Sequence, residues 1–351
     1  MGHTAQHRLT RARFHGIVAF WALGTLGTAC AQAPVAVPAP APVPAAAYGK
    51  HAERSVSEWL VRMHEASRLR SYVGTFVVSS STGMASARIW HACDGDQQIE
   101  RVESLTGAPR STFRRNEEVV TFLPETRVVR TERRESLGLF PNLLKAADSS
   151  IPEFYAARRV GGDRVAGFET DVVQLAPKDN LRFGYRVWSE RKTGLVVKLQ
   201  TLDLEGNVLE QAAFSELALD APVRIDKLNQ MMGATDGWRV ERTDAVKTTP
   251  AAEGWQLKAS VAGFMPMSCY KRAVVPPALD GTLQWVFSDG LAAVSLFVEA
   301  FDRQRHVHEG MYSSGATQTL TRRIQDWWLT AVGEVPPQTL KAFALSLERR
   351  K

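Results

Sequence analysis

Residues 183–217 read "FGYRVWSERKTGLVVKLQTLDLEGNVLEQAAFSEL". Three runs rich in Val, Leu, Tyr, Trp and Phe are separated by "RKTG" (191–194) and "LEGN" (204–207). Side chains in a strand alternate between faces, and Gly194 and Gly206 supply the backbone freedom that a tight connection needs. The stretch predicts an antiparallel meander. Strands of this kind curl into a sheet whose apolar face must be covered.

The same period-two pattern extends upstream. "YVGTFVVSS" (72–80) and "ASARIWHAC" (85–93) form strands joined at "STGM", followed by "QQIERVESL" (97–105). "EEVVTFLPE" (117–125) and "TRVVRTER" (126–133) form a pair broken at Pro124, and "GDRVAGFETDVVQLAPKD" (162–179) resumes the pattern. "NLLKAADSSIPEFYAARR" (142–159) reads as helix or mixed structure, and "RVGGDR" (159–164) as a turn. Ahead of all these, "SVSEWLVRMHEASRLRSY" (55–72) has Trp59, Leu60, Met63, Ala66 and Leu69 at helical spacing. Ser55 or Ser57 can cap this helix, with Glu58 in its first turn. The helix is a candidate cover for the sheet.

The N-terminus is of another kind. "HRLTRAR" (7–13) carries three arginines and no acid, "FHGIVAFWALGTLGTACA" (14–31) is apolar, and small residues follow. That order predicts a secretory signal over 1–33, cut after Ala31 or Ala33. The apolar run is marginal for a span of about 20 residues. Cys30 offers the alternative of lipidation, although Gly27 stands where a large aliphatic residue is usual in a lipoprotein signal. The Pro/Ala tract over 34–50 has too few large side chains to pack and predicts an extended spacer.

Export changes the charge balance. The whole chain is +6, with 43 basic and 37 acidic residues; without the arginines of the signal it is +3. A concentrated basic surface for nucleic acid is not supported. Cys93 and Cys269, which remain after the signal, are too few for a disulfide framework; an oxidising compartment permits one disulfide between them, and buried free thiols are the other reading.

Folding divides into an N-terminal domain over 51–218, a linker over 219–247 and a small C-terminal domain over 248–351. In the last, "WQLKASVAGFMPMSCYKRAV" (255–274), "TLQWVFSDG" (282–290) and "LAAVSLFVEAF" (291–301) read as strands. "MYSSGATQTLTRRIQDWWLTAVGEV" (311–335) adds two more, and Pro336 and Pro337 then open a helix with an apolar stripe at Leu340, Phe343 and Leu347.

Catalytic constellations are missing from the sequence: it holds no G-x-S-x-G, H-E-x-x-H, P-loop or G-x-G-x-x-G. "RHVHE" places His306 and His308 on one face of a strand, a solvated face and not a metal site; Asp94 and Asp96 fall in a turn. No catalytic, metal or cofactor-binding residue is expected. Arg110, Arg114, Arg115, Arg127, Arg130, Arg133 and Arg134 crowd two neighbouring strands. Arg114, Arg115, Arg127 and Arg130 are candidates for an anion rim, with a solvated face interleaved with glutamates as the alternative. A hydrolase with an unfamiliar site would need grouped, perturbed carboxylates or histidines.

"YRVWSERKTGLVVKLQTLDLEGNVLEQAAFSEL", "GFMPM", "FSDGLAAVSLFVEAF" and "VGEVPPQTLKAFA", in this order, resemble the RseB/MucB family. The resemblance covers about 55–348 and leaves out the Pro/Ala tract; Cys93 and Cys269 match no family motif. It implies an α+β fold: a large half-open antiparallel β-barrel of the LolA/LolB type with covering helices, then a smaller sheet-and-helix domain. It implies a periplasmic regulator without a cofactor. Such a regulator binds the periplasmic domain of a membrane anti-sigma factor of the RseA/MucA type and shields it from regulated proteolysis. That binding restrains the sigma-E envelope stress response until lipopolysaccharide or an acylated lipid releases it. Trp59, Met63, Phe76, Phe122 and Phe140 are candidates for the lipid groove, with ordinary core as the alternative. A lipid or lipoprotein carrier using the same concavity is the second functional reading, and the sequence leaves a homo-oligomer open.

Overall fold

The structure is a computed structural model that describes residues 54–350 apart from 95–96, 134–139, 141–149, 244 and 273–280. The expected signal, the spacer, Cys30, Asp96 and Arg134 lie outside the described residues.

Ser55 starts the first helix, α1 (Val56–Leu69), through a reciprocal capping box. Its hydroxyl accepts from Glu58 N at 3.2 Å, and the Glu58 carboxylate accepts from Ser55 N at 2.6 Å. Both orphan donors are thereby satisfied. Trp59, Leu60, Met63 and Ala66 are buried along one stripe.

The chain then lays down β1 (Tyr72–Ser80), β2 (Gly83–Asp94), β3 (Gln97–Ser104), β4 (Ser111–Arg115), β5 (Glu118–Leu123) and β6 (Val128–Arg133). A single 3₁₀ turn at Pro124–Thr126 separates the last two. A one-turn helix, α2 (Ile151–Phe154), precedes β7 (Tyr155–Val165) and β8 (Phe168–Pro177). The meander follows as β9 (Gly184–Glu190), β10 (Val196–Leu202) and β11 (Val208–Leu219). With α3 (Ile225–Gly233) and β12 (Arg239–Thr243), these strands form one twelve-stranded sheet ordered β12-β6-β5-β4-β3-β2-β1-β11-β10-β9-β8-β7. All neighbours are antiparallel except β12, which runs parallel to β6. Helix α1 touches both β2 and β7, although six positions of the order separate them, so the sheet is curled around the helix. The result is a half-open barrel with α1 in its concavity.

Helix α3 covers part of the convex face. Its Leu228 and Met232 pack with Ala92, Ile99, Phe113, Val120, Phe122 and Val129.

The C-terminal domain is a sheet ordered β13-β15-β16-β17-β20-β19-β18. These strands are β13 (Ala245–Lys247), β15 (Met265–Arg272), β16 (Thr282–Ser288), β17 (Ala293–Ala300), β18 (Gly310–Ser314), β19 (Thr317–Ile324) and β20 (Trp327–Gly333). β14 (Trp255–Leu257) pairs with β21 (Leu347–Arg349), the last strand, which follows directly on α4 (Pro337–Ser346). Leu340 and Phe343 of α4 are wholly buried against Phe264, Phe287 and Trp255. Burial of each such side chain contributes about 1.5–3 kcal/mol.

Several local expectations change, and residues 311–335, expected to add two strands, lie in β18, β19 and β20. Residues 159–164 belong to β7 and not to a turn: a bulge between Arg159 and Gly161 absorbs the glycines, and the reversal falls at Ala166–Gly167. β4 has too few apolar residues to stand out, and its pairing with β3 and β5 makes it a strand. The stretch 219–247 holds α3, β12 and β13. "RHVHE" is no strand: Asp302 O accepts from His306 N at 2.8 Å, and His306 Nδ1 accepts from Asp302 N at 2.9 Å, closing a turn. His306 is buried and stacked on Trp328, while His308 is exposed.

Candidate functional site

Strand register sorts the side chains of the large sheet between its two faces. Phe76 pairs with Phe214 and with Ala87, and Tyr72 pairs with His91, so these residues share the face on which α1 lies. Phe76, Phe140 and Phe214 form an aromatic triangle there, with centroids 5.7, 6.2 and 5.1 Å apart. Gly74 makes it fit: a Cβ at this position would stand 2.6 Å from the Phe214 ring. Phe76 and Phe140 are half-buried and Phe214 is buried.

The five groove candidates thus fall into three clusters. Phe76 and Phe140 meet directly. Trp59 and Met63 are 2% exposed in the cluster between α1 and β8–β10, against which Phe140 also packs. Phe122 packs under α3 on the opposite face, with Phe113 and Trp238.

The rim candidates also divide. Arg114 pairs in register with Glu100, and Arg130 with Thr121, which puts both on the concave face; Arg115 lies on the convex one. Arg114 stands 3.6 Å from Glu100, Arg115 2.7 Å from Glu118 and Arg130 3.3 Å from Glu241. Arg127 closes the 3₁₀ turn in a left-handed conformation, φ 49°, with its side chain exposed. Burial alone would raise the Glu100 carboxyl, but His91 and Arg114 beside it outweigh that and hold it below the ordinary range.

A second polar focus, which no motif announces, joins the two domains. Asp289 follows β16; its Oδ2 accepts from Arg182 Nε at 2.8 Å and from Tyr155 OH at 3.1 Å. Arg182 also binds Asp179 and donates to Ala262 O at 2.8 Å. Thr339 Oγ1 of α4 donates to Leu181 O at 2.6 Å, and Arg272 of β15 lies 3.4 Å from Glu132 of β6. Glu334 faces Glu210 of β11 nearby; burial and that like charge push its carboxyl up to about 7.

Among the described residues no three His, Cys, Asp or Glu side chains are grouped to hold a metal, and no helix is long and apolar enough to cross a membrane. Cys93 and Cys269 are free thiols, and burial pushes Cys269 up to about 11.

These features define a two-domain α+β protein: a half-open barrel with an internal helix and aromatic face, locked to a small sheet-and-helix domain. The chain belongs to the MucB/RseB family, whose N-terminal domain model matches residues 55–232 and whose C-terminal domain model matches 249–348. It is 30% identical over 305 residues to the sigma factor AlgU regulatory protein MucB of Pseudomonas aeruginosa, covering 83% of this chain and 90% of that protein. It is 23% identical over 295 residues to the sigma-E factor regulatory protein RseB of Escherichia coli K12, covering 82% and 89%. The crystal structure of MucB in complex with MucA(peri) superposes with a TM-score of 0.62 at 29% identity, covering 84% of this chain and 99% of that one. The Pseudomonas aeruginosa MucA/MucB complex gives 0.64 at 28% identity, with the same coverage.

Proposed function

We propose that this chain is an exported, periplasmic regulator that binds the periplasmic domain of a membrane anti-sigma factor. Binding shields that factor from proteolysis and so restrains a sigma-E-type envelope stress response. The observation that carries this reading is the agreement over both domains with MucB, a protein solved in complex with MucA(peri).

Release follows from a lipid that favours a different state of the protein than the partner does. We place its acyl chain on the concave face at Phe76 and Phe140, beside Phe214, where apolar burial returns roughly 25 cal/mol per Å². Arg114 and Arg130 stand on the same face. Trp59 and Met63 would act from beneath, by holding α1 in place.

The test is titration of the processed chain with the periplasmic domain of its own anti-sigma factor, with and without lipopolysaccharide. Binding that lipopolysaccharide abolishes supports the whole reading. Binding indifferent to it removes the lipid-release step. Absence of binding, together with transfer of acylated cargo between vesicles, would make the chain a carrier instead.

A further inference from the structure

The loop between β17 and β18 is fastened at both ends and held in its middle by one side chain. At its start, Phe301 N donates to Asp326 O at 2.8 Å. At its end, Thr321 Oγ1 of β19 donates to His308 O at 3.0 Å. Between these ties runs "DRQRHVH" (302–308), and within it only His306 is buried; Val307 beside it is 62% exposed. The His306 ring lies flat on Trp328 of β20, with centroids 4.8 Å apart and planes 6° apart, and against Phe301 at 5.8 Å. Leu329 and Ala331 join the core under α4, so Trp328 and the loop over it occupy the opposite face of the small sheet.

Hydrogen bonds fix where the proton sits on this ring. Asp302 N carries a hydrogen and donates it to Nδ1 at 2.9 Å, so Nδ1 is bare. Nε2 lies 3.1 Å from Glu299 Oε1 of β17 and carries the ring's hydrogen toward that carboxylate. The imidazole is therefore held as its neutral Nε2–H form. The charged groups around it come from three elements. Glu299 of β17 also accepts from Arg305 at 3.2 Å. Within the loop, the Asp302 carboxylate is occupied by Gln304 N at 2.8 Å and Arg305 Nε at 3.0 Å. Arg323 of β19 lies over Phe301, 3.9 Å from its centroid, and donates to Gln325 O at 2.7 Å. Trp328, the contact from β20, carries no charge, and His308 is exposed.

A second proton can enter this ring only at Nδ1. There it sets one N–H against another, and the contact that closes the loop turns into a repulsion. Glu299 keeps its hold on Nε2 in either state, so it favours the charged ring without restoring the lost acceptor. We propose that His306 is a proton-operated catch: a second proton on its ring frees residues 302–307 and uncovers Trp328. Because Asp326 and Thr321 tie the two ends, the movement is confined to the loop, and the strands on either side stay paired. The closed loop belongs to the neutral ring and the open loop to the charged one. The device therefore works between about pH 5 and pH 8, where histidine changes its charge. The inference does not rest on the anti-sigma reading, and no partner enters its test.

The processed chain, labelled with nitrogen-15, is followed by NMR from about pH 8 to about pH 5. At the alkaline end the two ring nitrogens of His306 should differ, Nδ1 bare and Nε2 protonated; at the acid end they should become alike. Over the same range the amides of Asp302 and His306, corrected for intrinsic exchange, should lose about tenfold in protection, while Leu296 and Val298 of β17 keep theirs. His306→Phe keeps a ring on Trp328 and should abolish the pH response at Asp302. Arg303→Gln, on the exposed crest of the loop, should leave that response unchanged. The resonances of the unaltered chain decide the matter if the His306 variant folds poorly. A proton on Nδ1 at the alkaline end, or a doubly protonated ring with Asp302 still protected, overturns the proposal. Loss of protection throughout the small domain also overturns it, since the opening would then be global.

Discussion

Arg182 and Asp289 form an ion pair at 2.8 Å between the half-open barrel and the small domain, and neither side chain is exposed at all. The pair sits inside a ring of other contacts. The Arg182 guanidinium lies 4.4 Å from the centroid of Phe154 and 5.3 Å from that of Phe264. Gly263 admits this close approach: a Cβ there would be 2.5 Å from Arg182 Nη2. Removing Asp289 takes the acceptor from Tyr155 OH and leaves the buried Arg182 only partly compensated, by Asp179 and Ala262 O. Asp289→Ala should therefore cost about 3–5 kcal/mol in urea unfolding. The double change Asp289→Ala with Arg182→Met should recover part of that loss. A double variant no more stable than the single one would show that the pair is not what couples the domains.

Thr339 Oγ1 reaches Leu181 O at 2.6 Å from within α4. Thr339→Val keeps the shape and loses the hydrogen bond, leaving the part-buried Leu181 carbonyl without that donor. The expected loss is about 1–2 kcal/mol, read from the shift in denaturation midpoint at constant slope.

Glu334 gives the junction a pH dependence of definite sign. Its carboxyl is pushed up to about 7 by burial and by Glu210, so the folded protein holds this proton more tightly than the unfolded chain does. Stability from this group is full below the unfolded value near 4.5 and falls as the pH rises to about 7. The change amounts to at most about 3 kcal/mol. Glu334→Gln should flatten the profile between those limits and raise stability at pH 8. An unchanged slope of stability against pH would assign the dependence to other groups.

Phe343 is wholly buried beneath α4, with its ring centroid 4.8 Å from Phe287 and 5.7 Å from Phe264. Phe343→Ala should cost about 3–5 kcal/mol through the cavity it leaves. Calorimetry of the processed chain would resolve this as a lowered transition temperature.

On the concave face, Gly74→Ala drives a methyl into the Phe214 ring and into Glu216 O, 2.6 and 2.8 Å from its ideal position. Because one of those atoms is backbone, the strand itself must shift, at about 1–3 kcal/mol. The aromatic triangle should be displaced with it, and binding of a fluorescent acyl probe should weaken in the same variant. Full probe binding would move the acyl site away from Phe76 and Phe140.

Much of this fold was legible because its signals are local. The capping box at Ser55 and Glu58, the positive φ of Gly194 and Gly206, and the proline start of α4 each depend on a few neighbouring residues. The apolar stripe predicts Leu347 in that last helix, but it lies in β21, because α4 ends at Ser346 and the chain then pairs with β14. The glycines at 161 and 162 looked like a turn, since local chemistry is the same for a turn and for a bulge inside a paired strand. Pairing with β8 decided between them.

Periodicity, caps and turns are carried by adjacent residues, so the meander, the covering helix, the order of two domains and the family could be read from the chain. Which charges meet is a property of the folded chain. Arg54, Arg159 and Arg191 converge on Asp171, while Arg114 and Arg115, neighbours in the chain, part to opposite faces of one strand. Arg182 finds Asp289 across 107 residues. Strand alternation, the shifted register at Arg159–Gly161 and the curl of the sheet around α1 set those distances, and none of the three is a property of any short stretch of chain.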